Sequence, residues 1–246
     1  MKRIKLVVAY DGTNYCGWQI QPNEPTIENE LDKAIYELTK EKVHVTGASR
    51  TDTGVHALGN VAVFDTESSI PGERFSYALN RFLPEDIAVQ SSCEVAPDFH
   101  PRHCETRKTY RYRILNTEFP VPQKRNYTWN VKGKLDIEAM KEAAKYIVGE
   151  HDFKSFCCVR TQAESTVRTI YDIQLKRHND EIYLDIMGNG FLYNMVRIIT
   201  GTLVQVGKGK YKPDYIKEML SACDRTEAGQ TAPPQGLTLM NIEYVE

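Results

Sequence analysis

The chain has 246 residues, of which 41% are hydrophobic and 26% are charged, and its formal net charge is -2. This composition is typical of a soluble globular protein with one large domain or two small ones. It contains no run of about 18 apolar residues, which excludes a membrane-spanning helix of ordinary length. The small negative charge argues weakly against a nucleic-acid partner, but local clusters of charge matter more than the total.

The first 105 residues alternate between strand-like and helix-like patterns. Strands are predicted over residues 3–10, 43–46, 60–66 and 87–95. A helix is predicted over residues 25–40, because Thr26 is a suitable N-cap and the apolar residues that follow lie on one face. A shorter helix over residues 73–83 is expected to end before Pro84.

The second half shows the same alternation of strand-like and helix-like patterns. Strands are predicted over residues 108–115, 166–177, 181–188 and 237–245, the middle two as a hairpin around residues 178–180. Helices are predicted over residues 135–149, 191–207 and 213–222. Asp136 is the expected N-cap of the first and Gly149 its C-terminal stop, whereas the second is apolar enough to be buried.

The predicted elements of each half therefore follow roughly the order β-α-β-β, with one additional helix. The short hairpins cannot occur in an all-parallel sheet, which needs longer crossover connections. We expect an α+β fold in two domains, residues 1–105 and 106–246, each with a mixed or antiparallel sheet under helices.

The cysteines and histidines indicate neither disulfides nor a metal. The six cysteines are scattered without a C-x-x-C pair. The first residues alternate like a strand and lack the features of a signal peptide, so we expect reduced thiols and a cytoplasmic protein. The stretch His100–Cys104, "HPRHC", has no second pair of ligands, and no metal site is predicted.

One acidic residue stands in a loop between two strand-like segments. Asp52 lies in "ASRTDTGVHAL", residues 48–58, with Arg50 two positions before it. An Asp side chain is ionised at neutral pH and can act as a nucleophile or base. Loops often carry functional groups, although Asp and Thr in such a stretch also fit a simple stabilised turn.

Other stretches have competing interpretations. "DGT" at Asp11 matches part of an aspartyl-phosphate motif, but Ala9 stands where the nucleophile is needed, so a turn is the simpler interpretation. Residues 17–19 are interpreted as a surface loop in which Trp18 packs or stacks. Arg197 lies in an apolar helix, where it either pairs with a carboxylate or extends to the surface.

Basic residues concentrate in two places. Residues 102–113 carry five Lys or Arg and two Tyr, and residues 207–212 carry three Lys. In the strand 108–113, Lys108, Tyr110 and Tyr112 should face one side and Thr109, Arg111 and Arg113 the other. Tyrosines beside cations suit RNA, with rings stacking on bases and cations meeting phosphates, but an amphipathic strand with a solvated basic face fits equally well.

Several stretches together resemble the tRNA pseudouridine synthases of the TruA type. They are "YDGTNYCGWQIQP", "ASRTDTGVHALG", "RKTYRYRI", "GNGFLYNMVRIITGTL" and "APPQGLTL". The matches follow the family's order over nearly the whole chain, and Ser49 and Thr53 are apparent departures, both small residues beside the acid. The resemblance implies two α+β halves whose sheets join into one central sheet, with the active-site cleft between them. It also implies a homodimer without a cofactor that acts on uridines 38, 39 and 40 of the tRNA anticodon arm.

The same resemblance implies roles for five residues. Asp52 would be the catalytic acid, Arg50 would hold the flipped nucleotide or fill its vacated space, and Arg197 would pair with Asp52. Tyr110 would stack on the target base, and Leu237 would form an apolar wall of the uracil pocket. Asp52 could attack C6 of the base, attack C1′ of the ribose, or take a proton from C2′ on a glycal route.

Two other classes of function use the same residues. An RNA-binding module would explain the basic and aromatic stretches but not an acid in an RNA-facing loop. A metal-independent hydrolase would use Asp52 as its nucleophile but would release a cleaved product in place of an isomer. Mass spectrometry of digested RNA separates hydrolysis from isomerisation, because isomerisation conserves mass and hydrolysis does not.

Overall fold

A computed structural model describes residues 1–158 and 164–245 of the chain. Within them, ten strands are β1 Lys2–Tyr10, β2 Thr46–Gly47, β3 His56–Thr66, β4 Ile87–Val95, β5 Thr106–Leu115, β6 Trp129–Asn130, β7 Gly149–Asp152, β8 Val167–His178, β9 Glu181–Gly188 and β10 Leu237–Tyr244. Five α-helices are α1 Ile27–Thr39, α2 Phe75–Leu79, α3 Ile137–Lys145, α4 Met195–Gly207 and α5 Tyr215–Ala222. The predicted α+β class with mixed, mostly antiparallel sheets is confirmed.

The chain divides into two compact units. Unit 1 comprises residues 1–106 together with the end of the chain from Thr238, and unit 2 comprises residues 107–237. The C-terminal strand β10 therefore belongs almost entirely to the N-terminal unit.

Unit 1 is built on the strand order β4-β1-β3-β10. Strand β1 pairs antiparallel with both β3 and β4, and the short β2 pairs antiparallel with β3. Strand β10 runs parallel to β3, with Thr238 opposite His56. Along β1, alternate side chains such as Ile4, Leu6 and Val8 are fully buried.

Helix α1 forms much as its sequence predicts. Thr26 is the N-cap, and its side chain accepts a hydrogen bond from the backbone N–H of Asn29. Ile27, Leu31 and Ile35 are fully buried, as their spacing on one face requires. The predicted strand 43–46 is wrong apart from Thr46, which opens the two-residue β2, and α2 is shorter than the predicted helix over 73–83.

Unit 2 is built on the antiparallel order β5-β9-β8-β7, and β6 pairs parallel with β5. The hairpin of β8 and β9 is confirmed, with His178 paired to Glu181. Helix α3 has Asp136 as its N-cap, since the Asp136 side chain accepts from the backbone N–H of Ala139. It ends at Lys145, so the predicted stop at Gly149 is wrong: Gly149 instead begins strand β7.

Helix α4 is buried along almost its whole length, as predicted. It begins at Met195, four residues after the predicted start, because Asn194 adopts a left-handed backbone conformation with φ of 63°. No helix in residues 1–158 and 164–245 combines the length and apolar character needed to cross a membrane.

Candidate active site

Residues 48–55, which we call the Asp52 loop, connect β2 to β3 in unit 1, so the predicted placement of this acid in a loop between strands is correct. Asp52 is half-buried, Arg50 is exposed, and Thr51 between them is buried. The backbone N–H of Val55 donates to the Asp52 carbonyl at 3.1 Å, which closes a turn directly after the acid. The loop therefore holds the backbone of Asp52 in place while Arg50 extends toward solvent.

Thr51 anchors this loop to the strands beneath it. Its hydroxyl lies 2.7 Å from the hydroxyl of Tyr10 at the end of β1. The side-chain amide of Asn60, on β3, donates to the Ser49 carbonyl at 3.0 Å and to the Tyr10 hydroxyl at 3.4 Å. The residues on both sides of Arg50 are thus hydrogen-bonded to β1 and β3.

The segment after β1 supports the loop from another direction. The backbone N–H of Trp18 donates to the Thr51 carbonyl at 3.1 Å, and that of Gly54 donates to the Tyr15 carbonyl at 3.2 Å. Gly17 has φ of +90°, and a Cβ added there would lie 2.5 Å from the Thr51 carbonyl oxygen. Only glycine fits this position without displacing the loop.

Of the two roles predicted for Trp18 in the loop 17–19, packing is correct, but the side chain packs in the interior and not at the surface. The Trp18 side chain is fully buried and packs against the backbone of Gly47, close enough that a Cβ on Gly47 would lie 2.4 Å from the indole. The centroids of the Trp18 and Tyr10 rings are 6.0 Å apart. Trp18 is therefore part of the support for the Asp52 loop, which its sequence context alone did not reveal.

His56 is a further residue that the sequence did not single out. It begins β3 and is buried. Its Nδ1 accepts a hydrogen bond from the backbone N–H of Gly12 at 3.0 Å and lies 3.1 Å from an Asp11 carboxylate oxygen. The Asp11 side chain also caps the short turn Gly12–Asn14 by accepting from Thr13, which agrees with the predicted turn. The "DGT" stretch is thus structural and lies against the end of the Asp52 loop.

Two arginines bring positive charge to the Asp52 loop in unit 1. Arg102 Nε donates to the Gly47 carbonyl at 2.7 Å. Burial lowers the pKa of the Arg102 guanidinium, and the positive charge of Arg50 lowers it further. The charges of Arg50 and Arg102 therefore act on each other, whereas the negative charge of Glu28 acts on Arg102 in the opposite direction.

Tyr110 occupies the middle of β5 in unit 2. It is buried, and its ring meets Phe191 edge-on with centroids 5.1 Å apart. The predicted alternation along the strand is correct, since Tyr110 and Tyr112 are buried and Arg111 is partly exposed. Arg111 forms a two-point ion pair with Asp185 at 2.7 and 2.8 Å.

Arg197 lies in the first turn of α4 and is half-buried. Its Nε donates to the Ala232 carbonyl at 2.7 Å, and its Nη1 donates to the Asn194 side-chain oxygen at 2.7 Å. The Arg197 carbonyl in turn accepts from the Ala232 N–H at 3.1 Å. These bonds fix the guanidinium relative to the segment that precedes Leu237, whereas a pairing of Arg197 with Asp52 stays a prediction.

Leu237 follows a segment that is held firmly within unit 2. The Tyr112 hydroxyl donates to the Pro233 carbonyl at 2.6 Å, and burial raises the pKa of this hydroxyl. A Cβ on Gly236 would lie 2.6 Å from the Tyr112 ring, so the chain passes directly against it. Leu237 itself is buried at the start of β10.

Comparison with known proteins assigns the chain to a family. A family model described as tRNA pseudouridine synthase matches residues 6–103 and 143–245. The chain belongs to the tRNA pseudouridine synthase family. Both matched segments carry proposed site residues, Arg50 and Asp52 in the first and Arg197 and Leu237 in the second, whereas Tyr110 lies between the two.

Full-length relatives agree with this assignment. The synthase is 51% identical over 244 residues to tRNA pseudouridine synthase A of Thermoanaerobacter sp. (strain X514), covering 99% of this chain and 100% of the relative. The protein of the same name from Acetivibrio thermocellus is also 51% identical over 244 residues with the same coverage, and that from Brevibacillus brevis is 46% identical over 244 residues, again with 99% and 100% covered. The resemblance seen in the sequence is thus confirmed, and the synthase is an isomerase that forms pseudouridine in tRNA.

Proposed function

We propose that this synthase converts uridines 38, 39 and 40 of the tRNA anticodon arm, with Asp52 as its catalytic carboxylate. The observation that carries the assignment of Asp52 is its setting: a half-buried acid whose neighbour Thr51 is hydrogen-bonded to both Tyr10 and Trp18. A carboxylate held on a fixed backbone can meet the same atom of each bound uridine, which favours chemistry over a merely structural turn.

The reaction explains why a single carboxylate suffices. The N1–C1′ bond of uridine breaks, a C5–C1′ bond forms, the C5 hydrogen leaves as a proton, and N1 takes up a proton. No electrons are exchanged with a second reactant, so the isomerisation consumes no cofactor. Asp52 would attack C6, attack C1′, or accept a proton from C2′, and each of these roles needs an ionised oxygen.

Arg50 is proposed to hold the flipped nucleotide or to fill the space that it leaves. A uridine in the anticodon stem must leave its base stack, which costs a few kcal/mol. Arg50 is exposed two residues before Asp52, so its guanidinium is available to a phosphate or to the vacated stack. Its repulsion from Arg102 would be relieved by a phosphate, which adds a reason for the RNA to bind here.

Tyr110 is proposed to stack on the target uracil, with Leu237 as an apolar wall. Tyr110→Phe keeps the ring and its edge-on contact with Phe191, so tRNA binding should change less than about twofold if stacking is the main role. Filter binding with a tRNA transcript measures this directly, with Tyr110→Ala as the variant that loses the ring. A large binding defect in Tyr110→Phe would show that the hydroxyl, and not the ring, binds the substrate.

Arg197 is proposed to orient Asp52 by an ion pair. Arg197→Ala should lower the rate of isomerisation by about 100-fold while tRNA binding largely persists, because a misplaced carboxylate loses its near-attack geometry. Arg197→Lys is the matched variant, since it keeps the charge but cannot reproduce both bonds to Ala232 and Asn194. Equal losses of rate and binding in Arg197→Ala would indicate a phosphate contact instead.

The remaining parts of the proposal concern the tRNA and the assembly. Lys208, Lys210 and Lys212 are exposed and are proposed to contact phosphates, so affinity should fall as salt rises. We also propose that the synthase acts as a homodimer in the cytoplasm, where its tRNA substrate is found.

Site mapping tests the proposed specificity. Unmodified tRNA transcripts carrying uridine at position 38, 39 or 40 are treated with the synthase. Pseudouridine is located by sequencing after chemical labelling, and mass spectrometry of nuclease fragments detects any loss of uracil. We expect modification at these positions and none when each is replaced by cytidine. Pseudouridine at another position, or release of free uracil, would contradict the proposal.

A further inference from the structure

A buried cluster of polar groups lies directly under the Asp52 loop. We call it the Tyr10 cluster, and it consists of the side chains of Tyr10, Thr51 and Asn60 with the carbonyl of Ser49. The exposed fraction is 5% for Tyr10, 7% for Thr51 and 0% for Asn60. Polar groups buried to this extent are costly unless they are hydrogen-bonded, so each bond in the cluster restricts where its partners can lie.

The cluster fixes the backbone on both sides of Arg50. Asn60 reaches the Ser49 carbonyl and the Tyr10 hydroxyl through the same amide nitrogen, at 3.0 and 3.4 Å, while its oxygen accepts from the Val61 N–H at 3.0 Å. This cross-linked amide cannot turn without breaking a bond. The Tyr10 hydroxyl in turn lies 2.7 Å from the Thr51 hydroxyl, so it restricts the position of Thr51, the residue that precedes Asp52.

The other contacts of Thr51 leave the loop little freedom to compensate. Its carbonyl accepts from the Trp18 N–H at 3.1 Å, so the peptide that joins Thr51 to Asp52 is held from a second direction. A Cβ on Gly17 would lie 3.2 Å from the Asp52 carbonyl carbon, which shows how closely this segment packs against the acid. Loss of the Tyr10 hydroxyl would remove the hydrogen bond to the Thr51 side chain and let the Asp52 carboxylate shift relative to the uridine.

We propose that Tyr10 and Thr51 are positioning residues for the isomerisation, acting through their buried hydroxyl pair to hold Asp52 in its reactive place. The inference rests on the proposed function of Asp52. Neither hydroxyl takes part in the chemistry; together they set the position from which the carboxylate acts. Removal of either hydroxyl should therefore slow the chemical step and leave tRNA affinity nearly unchanged.

The test compares single-turnover rates and tRNA affinities of four variants. Tyr10→Phe and Thr51→Val each remove one hydroxyl at nearly constant volume, and both should lower the single-turnover rate by about tenfold or more. Thr51→Ser keeps the hydroxyl and should retain the rate within about threefold, because it can still make the bond to Tyr10. Tyr244→Phe is the control, since it removes a part-buried tyrosine hydroxyl of unit 1 that donates to the Pro101 carbonyl. It should leave the rate unchanged.

The outcomes separate this inference from the function on which it rests. Full activity of Asp52→Asn in the same assay would overturn the proposed function and the positioning role with it. An inactive Asp52→Asn beside Tyr10→Phe and Thr51→Val at full rate would overturn the positioning role alone. The positioning role would also be overturned if each variant lost activity only in proportion to its loss of folded protein. Equal losses of rate in Thr51→Ser and Thr51→Val would overturn it as well. A purely structural role predicts both results. If Tyr10→Phe does not fold, the two Thr51 variants decide.

Discussion

Asp52→Asn is expected to abolish tritium release from tRNA labelled with [5-³H]uridine. Pseudouridine formation must expel the C5 hydrogen, so released tritium counts completed isomerisations. Asparagine keeps the size of the side chain but has no ionised oxygen to attack the nucleotide or accept a proton. Loss of a catalytic group that acts covalently or as a base lowers turnover by about 10³-fold or more.

The matched control for this substitution is Asp98→Asn, which makes the same chemical change at an exposed aspartate of unit 1. It should release tritium at the rate of the unaltered synthase. Both variants should bind tRNA, and binding by Asp52→Asn can be tighter because an acid no longer faces the phosphates. Substantial tritium release by Asp52→Asn would refute its catalytic role.

Gly201→Ala is expected to destabilise unit 2 strongly, because the added methyl group has no space to occupy. Gly201 lies inside helix α4, and a Cβ there would lie 1.8 Å from the Gln230 carbonyl oxygen. The neighbouring backbone cannot easily retreat, since the Gly229 N–H donates to the Thr202 hydroxyl at 2.9 Å and Ala232 is bonded to Arg197. Overpacking of this kind costs about 3 kcal/mol in the free energy of unfolding.

Urea unfolding followed by circular dichroism measures this change, with Gly190→Ala as the control. A Cβ at Gly190 would have its nearest neighbour, Arg168 Nε, at 3.6 Å, which is an ordinary contact. The control should unfold within about 1 kcal/mol of the unaltered protein. An unchanged midpoint for Gly201→Ala would mean that α4 and the segment 229–232 are not packed as described.

The elements that could be predicted from the sequence are those specified by local signals. Helix α1 has a capping threonine and an apolar face, and the β8–β9 hairpin has alternating residues around a short turn. The end of α3 was misplaced because Gly149 can either stop a helix or begin a strand, and only the pairing of β7 with β8 decides between them. Strand β2 is too short to carry a periodic signal at all.

The candidate site likewise contains residues that the sequence identified and residues that it did not. Asp52, Arg50, Tyr110, Arg197 and Leu237 were named from motifs that resemble a family, and periodicity alone could not have selected them. The sequence did not identify the hydrogen bonds that support these residues, because the bonded residues are distant in sequence. Tyr10 and Thr51 are 41 positions apart, and Arg197 and Ala232 are 35. A single buried tryptophan produces no periodic pattern, so the sequence predicted that Trp18 packs or stacks but not that it is buried beneath the Asp52 loop.

Strand β10 has a consequence for how the protein is made. The N-terminal unit is completed only after the whole of unit 2 has been synthesised, because Thr238 pairs beside His56 and the Val245 N–H donates to the Glu105 carbonyl at 3.1 Å. Domains usually fold as they emerge, N-terminal first, but here the sheet under the Asp52 loop lacks a strand until β10 has been synthesised. A nascent chain without β10 would therefore carry the acid without its full support.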